Sequence, residues 1–302
     1  MYQVEILQAA NATLGEGPLW DARLNVLYWG DLKQNRIFRF DPVTKTQTGQ
    51  WPLPHKFGCL ALTTDPHRLA VVTDRGYELF DLRSGALQLL ADPEAGLDLN
   101  CYNDGKLDPQ GRFWVGSLPL SGSRGEEITD PTGNLYSYEY GQEPVTRTTG
   151  IFNTNGLCWS PQGDRFYHID SWLYTVFSYD FDATSGAITN KQELIHFAPE
   201  EGGPDGMCID QDGCLWIAMW DGWGIQKVSP GGKRLEKITL PVQKPTSCIF
   251  AGADLDELII TSASCYLDAP ALQKGPNAGA LLRVRTGTRG LASPHFHLAE
   301  MN

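Results

Sequence analysis

The sequence predicts an all-β protein, a single six-bladed β-propeller domain over residues 1–302. Short runs of β-branched and aromatic residues, separated by Gly, Asp and Pro, recur along the chain, whereas almost no segment has apolar residues at helical spacing. A module also returns six times: a small residue, a strand, a D-x-x-G-type turn and a second strand rich in aromatic residues. Its copies follow one another at intervals of 41 to 51 residues, which is typical of propeller blades with four strands each.

The six copies are aligned by equivalent small residues, which we call anchors. In chain order the anchors are Gly17, Gly58, Gly105, Gly156, Gly206 and Ser247. The segment AGALLRVRT (278–286) follows the last copy, and YQVEILQ (2–8) precedes the first. In a ring, this N-terminal strand can complete the last blade and leave no open sheet edge. A β-sandwich with similar turns is the alternative, and the shared phase of the six copies favours the propeller.

Composition and charge exclude several classes of protein. Hydrophobic residues make up 41% of the 302 residues and charged residues 20%, which is the balance of a globular chain. The net charge of −12, without a run rich in Lys or Arg, argues against nucleic acid as a partner. There is neither a membrane-length apolar run nor a signal-peptide-like start, so we expect a cytoplasmic protein without membrane contact. The seven scattered cysteines suggest neither a disulfide framework nor a thiolate zinc site.

Most other conspicuous residues are predicted to belong to the core. Tryptophans that recur within strands are expected to pack between blades rather than to stack on a ligand. They are Trp20, Trp29, Trp114, Trp159 and Trp216. His168, in a strand two residues before Asp170, is interpreted as a core histidine whose hydrogen bonds are satisfied.

Polar side chains stand at or beside four of the anchors. They are Glu16, Asn103, Asn155 and Asp205. Radial repetition brings equivalent positions of successive blades together at one mouth of the central channel. Two carboxylates at close range repel each other and require a cation. Oxygen ligands suit Ca²⁺, Mg²⁺ or Mn²⁺, and Zn²⁺ also accepts carboxylates, so the residues predict one divalent ion without choosing it.

Four longer segments resemble a known family. LGEGPLWD (14–21), YNDGKLDPQGRFWVG (102–116), NGLCWSPQGDRFYHIDS (155–171) and PDGMCIDQDGCLWIAMW (204–220) closely resemble the SMP-30/gluconolactonase/luciferin-regenerating-enzyme-like family. The resemblance runs nearly end to end and includes PTSCIF (245–250) and NAGALLRV (277–284). It implies a six-bladed propeller that binds one divalent cation at the channel mouth and hydrolyses sugar-acid lactones there.

The resemblance also implies roles for individual residues. Glu16, Asn155 and Asp205 match the family's three protein ligands to the metal, and Asp205 is also its usual candidate for general base. Asn103 matches a residue that helps to bind substrate or a metal-bound water. Many relatives carry Arg two positions before this asparagine, where the chain has Cys101. The stretch 117–136 also differs from the family's acidic lid, and both departures bear on the substrate rather than on the metal.

The expected reaction is hydrolysis of a sugar lactone, the small-molecule partner, by a monomer or small homo-oligomer. The metal acts as Lewis acid, and Asp205 accepts the proton of the attacking water; a hydroxide formed on the metal is the competing nucleophile. Further candidates for substrate contact are Cys101, the loop residues Trp220 and Trp223, and Arg124 as a substitute for the missing arginine. Two alternatives stay open: a calcium- or partner-binding propeller without turnover, and an esterase or phosphotriesterase using the same site.

Overall fold

Six four-stranded antiparallel sheets make up the computed structural model, which describes residues 2–9, 11–97, 99–123 and 129–298. The prediction of an all-β, six-bladed propeller is therefore confirmed. The prediction that residues 1–302 form one domain stays a prediction.

The strands follow the repeat along the chain. After β1 (Val4–Gln8), the first blade contains β2 (Gly15–Asp21), β3 (Val26–Asp31), β4 (Arg36–Asp41) and β5 (Thr46–Pro52). The second contains β6 (Phe57–Leu62), β7 (Arg68–Thr73), β8 (Gly76–Asp81) and β9 (Leu87–Ala91). The third contains β10 (Asn100–Leu107), β11 (Phe113–Pro119), β12 (Gly133–Tyr138) and β13 (Val145–Ile151). The fourth contains β14 (Thr154–Trp159), β15 (Arg165–Asp170), β16 (Thr175–Asp182) and β17 (Ala187–His196). The fifth contains β18 (Gly203–Ile209), β19 (Leu215–Trp220), β20 (Gly224–Val228) and β21 (Arg234–Thr239). The sixth contains β22 (Pro245–Ala251), β23 (Glu257–Ser262) and β24 (Leu281–Arg285).

Helices are few and short among the described residues. They are α1 (Leu120–Ser123), α2 (Ala269–Lys274) and two 3₁₀ turns, Ser171–Leu173 and Pro199–Glu201. Across the described part of the chain, no helix has the length and apolar character that a membrane crossing requires.

The two ends of the chain close the last blade. Strand β1 pairs antiparallel with β24, so the order of this sheet is β1-β24-β23-β22, and Val4 lies opposite Val284. The N-terminal strand thus completes the sixth blade, as predicted, and covers an edge that would otherwise expose unpaired backbone groups.

The turns between the first and second strands of the third and fifth blades make the same side-chain contacts. In the third blade, the indole Nε1 of Trp114 donates to Asp108 Oδ2 at 2.9 Å. In the fifth, Trp216 Nε1 donates to Asp210 Oδ2 at 3.0 Å. Each aspartate also accepts a hydrogen bond from a backbone N–H of its own turn, which satisfies buried donors locally. The third and fifth blades therefore share the hydrogen bonds of this turn as well as its sequence pattern.

The core lies between neighbouring blades. Trp114 of the third blade packs against Trp159 and Phe166 of the fourth, with ring centroids 5.5 and 5.1 Å apart. All five tryptophans predicted to pack between blades are buried. His168 is buried as well, but the interpretation of satisfied hydrogen bonds is wrong, since neither ring nitrogen has a partner among the described residues. Burial, followed by the charge of Lys191, lowers its pKa to about 3.

Candidate metal and lactone site

The innermost strands lose register with their neighbours where the predicted site residues stand. The irregularities fall between Glu16 and Leu19, Tyr102 and Gly105, Asn155 and Leu157, and Pro204 and Met207. A β-bulge re-aims side chains and is frequent beside functional sites. Glu16, Asn103, Asn155 and Asp205 all lie at or within these bulges near the start of their strands. They therefore share one end of the channel, as the anchor argument predicts.

Two glycines permit this crowding. Gly17 follows Glu16 and has a φ of 57°, in the left-handed region that glycine adopts without steric cost. A Cβ atom on Gly156 would lie 2.8 Å from the carbonyl oxygen of Asp205 in the next blade. A larger residue at Gly17 would strain the backbone, and one at Gly156 would have to displace the Asp205 carbonyl.

A chain of hydrogen bonds fixes the orientation of Asn155. Ser171 Oγ uses its one proton to donate to the carbonyl oxygen of Pro204 at 2.6 Å, so it must accept from Asn155 Nδ2 at 2.7 Å. On the other side, Asn103 Nδ2 donates to Asn155 Oδ1 at 3.0 Å and to the backbone oxygen of Thr154 at 2.7 Å. The amide nitrogen of Asn155 is thereby committed to Ser171, and its oxygen is held with one lone pair left for a ligand.

Three carboxylates share the mouth of the channel. Burial, followed by the charges of Asp205 and Asp104, raises the pKa of Glu16 well above its ordinary value. Burial and then the charge of Asp104 raise the pKa of Asp205 in the same way. Burial also raises the pKa of Asp104, against the opposing charge of Lys106. The carboxyl groups are therefore close enough to repel one another.

These donors fit a hard or borderline divalent cation. Asp205 is buried and Glu16 is half-buried. Within the described residues, neither has a Lys, Arg or His at ion-pair distance, so their negative charge lacks a contacting cation. No set of three or more His, Cys, Asp or Glu side chains in the described part of the chain has metal-binding spacing. The predicted site instead combines two carboxylates with the oriented amide oxygen of Asn155, a set of oxygen ligands that suits Ca²⁺, Mg²⁺ or Mn²⁺ and is open to Zn²⁺.

The end of β19, the loop after it and the loop before β22 add an aromatic and cationic wall at the same end. Trp220, predicted to lie in a loop, is the last residue of β19. Trp220 pairs with Gly203, two residues before Asp205, and Lys244 Nζ lies 4.2 Å from the centroid of its ring. Lys244 also pairs with Asp221 at 2.7 Å. Both Asp221 and Trp223 have left-handed φ angles, 62° and 56°. Backbone strain in non-glycine residues is concentrated at binding sites, so this loop is a candidate for substrate contact.

The remaining predicted substrate contacts are less informative. Cys101 is half-buried in β10, opposite Leu118 of β11 and two residues before Asn103. Trp223 is half-buried, packs near Gly275 and has Lys274 Nζ 4.7 Å from its ring centroid. Arg124 lies outside the described residues. The roles of all predicted site residues stay predictions.

Two residues of this site, Ser171 and Lys244, were not predicted from the sequence, and a third, Asp104, has a larger electrostatic effect than its sequence position indicates. For Asp104, which follows Asn103, the sequence predicts a local turn hydrogen bond, with a supporting role beside the site as the alternative. Asp104 accepts that bond from the Gly105 N–H at 2.7 Å, and its charge also raises the pKa of Glu16 and Asp205. Ser171 ends the HIDS segment, where the second strand of the fourth blade returns to the site. Pairing of this strand with the first could therefore have placed Ser171 near Asn155. Lys244 lies in a loop before β22, and nothing in its spacing marked it.

The comparisons with known proteins agree with the geometry. Residues 14–264 match the family model described as "SMP-30/Gluconolactonase/LRE-like region". The chain is 32% identical to regucalcin of Bos taurus over 297 residues, covering 96% of each. It is 33% identical to 6-deoxy-6-sulfogluconolactonase of Pseudomonas putida over 286 residues, covering 94% of this chain and 95% of the relative. A crystal structure of a calcium-binding protein, regucalcin, from Agrobacterium tumefaciens superposes with a TM-score of 0.91 at 25% identity, covering 98% of both chains.

Proposed function

The chain belongs to the SMP-30/gluconolactonase/LRE-like family, and from this premise we propose that it hydrolyses a sugar-acid lactone to the open-chain acid. One divalent cation is held by Glu16, Asn155 and Asp205. The oriented amide of Asn155 carries the proposal, because Ser171 and Asn103 fix its oxygen beside the buried Asp205 and the half-buried Glu16, whose carboxylates lack a contacting cation among the described residues. The 6-deoxy-6-sulfogluconolactonase among the relatives supports lactone hydrolysis as the reaction.

Each residue of the site has a separate role in hydrolysis. When bound, the cation supplies Lewis-acid polarisation of the lactone carbonyl. Water adds to the carbonyl carbon, Asp205 takes the proton from that water, the ring C–O bond breaks, and the proton passes to the departing ring oxygen. The amide protons of Asn103 are engaged with Thr154 and Asn155, so its Oδ1 is the atom that accepts from a substrate hydroxyl.

The wall beside the metal site sets the substrate class. Trp220 offers an apolar ring face, and Lys244 above it is buried and held by Asp221. A sugar ring presents both C–H faces and hydroxyl groups, which suit such a pair of an aromatic ring and a cation. Cys101 removes the cation that many relatives place beside Asn103, so we expect hydroxyl recognition to shift toward Lys244.

The experiment is a pH-indicator assay of metal-stripped protein with Mn²⁺, Zn²⁺, Ca²⁺ or Mg²⁺ added separately. The panel contains aldonolactones that differ at single hydroxyls, one lactone with an anionic group at C6, and a phosphotriester. Turnover of a lactone with at least one metal, and none without metal, is the expected result. Metal binding without turnover of any panel member would instead favour the calcium-binding alternative, which is supported by the likeness to the calcium-binding protein of Agrobacterium tumefaciens.

A further inference from the structure

The opposite end of the channel holds a cavity that the lactone site does not use. The cavity has a volume of 410 Å³ and is lined by the last residues of the innermost strands, among them Leu62, Ile209 and Phe250. In β14, Asn155 stands at the metal end and Trp159 at the cavity end, four residues apart or about 13 Å along the strand. The cavity is therefore separate from the metal site.

One cation stands at the inner end of this apolar cavity. Lys106 lines it and donates from Nζ to the carbonyl oxygen of Met207 across the channel at 2.6 Å. Within the described residues, that carbonyl is the hydrogen-bond partner of its ammonium, and no carboxylate lies within ion-pair distance. The nearest carboxylate in sequence is Asp104, two residues earlier in β10, and the charge of Lys106 acts on it from beyond ion-pair distance. An ammonium carries three donors, so two of them have no acceptor among the described residues.

The outer wall of the cavity is a segment whose flanking residues are hydrogen-bonded to the rest of the described chain. Residues 291–294, which we call the strap, line the cavity. Before the strap, the N–H of Gln211 donates to the Arg289 carbonyl at 2.8 Å; after it, the N–H of Phe296 donates to the Leu62 carbonyl at 2.8 Å. Between these points, no hydrogen bond involves the strap in the described part of the chain. The strap can therefore move aside without breaking a hydrogen bond.

We propose that this cavity is a second binding site and that it takes a small amphipathic monocarboxylate, with its carboxylate on Lys106 and its hydrocarbon part toward the strap. The volume lies within the range of ligand pockets. Since an apolar cavity of about 150 Å³ holds benzene, 410 Å³ accommodates roughly 15 non-hydrogen atoms. A carboxylate supplies the acceptors that the ammonium lacks, through charge-assisted hydrogen bonds in an apolar surrounding.

The test compares octanoate with 1-octanol by isothermal titration calorimetry on the native protein. The expected result is one octanoate per chain, bound at least tenfold more tightly than the alcohol. Equal affinities, or no binding of octanoate, would overturn the proposal without recourse to any variant. In Lys106→Met, octanoate should lose its advantage over octanol; retention of the advantage by this variant would remove Lys106 from the site.

Two further variants locate the ligand. Ala292→Trp places a large ring at the mouth of the cavity and should abolish octanoate binding, whereas Val43→Trp, at a position 83% exposed, should leave it unchanged. Unchanged binding by Ala292→Trp would contradict the assignment. Because a carboxylate could also bind at the metal, Asp205→Asn is titrated as well. Full octanoate binding is expected there, and its loss would place octanoate at the metal site and overturn the second site.

Discussion

Replacement of Ser171 by alanine should weaken metal binding without unfolding the protein. The change removes the acceptor for Asn155 Nδ2, which lies 2.7 Å from the hydroxyl, and leaves a buried amide donor unpaired. An unsatisfied buried donor costs about 1–3 kcal/mol, which corresponds to roughly a 5- to 150-fold rise in the metal Kd. Loss of a partner that orients a metal ligand typically costs about 10- to 100-fold in affinity, in agreement with this range.

The assay is titration of stripped protein with Mn²⁺, followed by the electron paramagnetic resonance signal of the free ion. Ser171→Thr keeps the hydroxyl and should recover most of the affinity. Ser84→Ala, which removes a hydroxyl bonded to Asp81 on an exposed turn, is the matched control and should bind as the native protein does. An unchanged Kd in folded Ser171→Ala would refute the view that this hydroxyl orients Asn155.

Three other changes probe the site and the blades. Asp205→Asn should lower kcat for the preferred lactone by roughly 10²- to 10⁴-fold, the usual value of general-base assistance, and a loss below tenfold would assign the proton transfer elsewhere. Lys244→Met should raise KM several-fold with little change in kcat, because it removes the cation 4.2 Å from the Trp220 ring centroid; an unchanged KM would take this wall out of the substrate site. His168 has a folded pKa of about 3, below its unfolded value, so it stays neutral in the folded protein at pH values where the unfolded chain binds a proton. The free energy of unfolding therefore decreases as pH falls from 6.5 toward 3. The decrease is about 2 kcal/mol at pH 5. Urea unfolding of His168→Leu at pH 7 and pH 5 should no longer show it. An equal pH dependence in the native protein and the variant would show that His168 is not the group responsible.

Much of the architecture follows from the sequence because a propeller repeats. Equivalent anchors imply equivalent strands, and the apolar segments at both ends of the chain imply a shared last blade. Glu16, Asn103, Asn155 and Asp205 are also predicted to lie together, because they stand near the start of equivalent innermost strands and the turns fix the register within each repeat.

The contacts between blades could not be predicted in the same way. Ser171 reaches Asn155 through strand pairing in its own blade and Pro204 through the next one, and no spacing in the sequence encodes that second contact. Lys244 reaches the Trp220 ring only because of the path of the loop before β22, which the sequence does not encode in its spacing. His168 shows the converse limit: its strand position predicts burial, but only packing reveals that its nitrogens lack partners among the described residues.

We expect lactone hydrolysis to require one divalent cation on Glu16, Asn155 and Asp205. The measurement is the hydrolysis rate of the preferred lactone while stripped protein is titrated with Mn²⁺, or with the most activating ion of the panel. The rate should start near zero, rise linearly and level off at one ion per chain, and Glu16→Gln should show no such rise at the same concentrations. Full activity in the stripped protein, or the native titration curve in Glu16→Gln, would show that hydrolysis does not depend on a cation bound by Glu16.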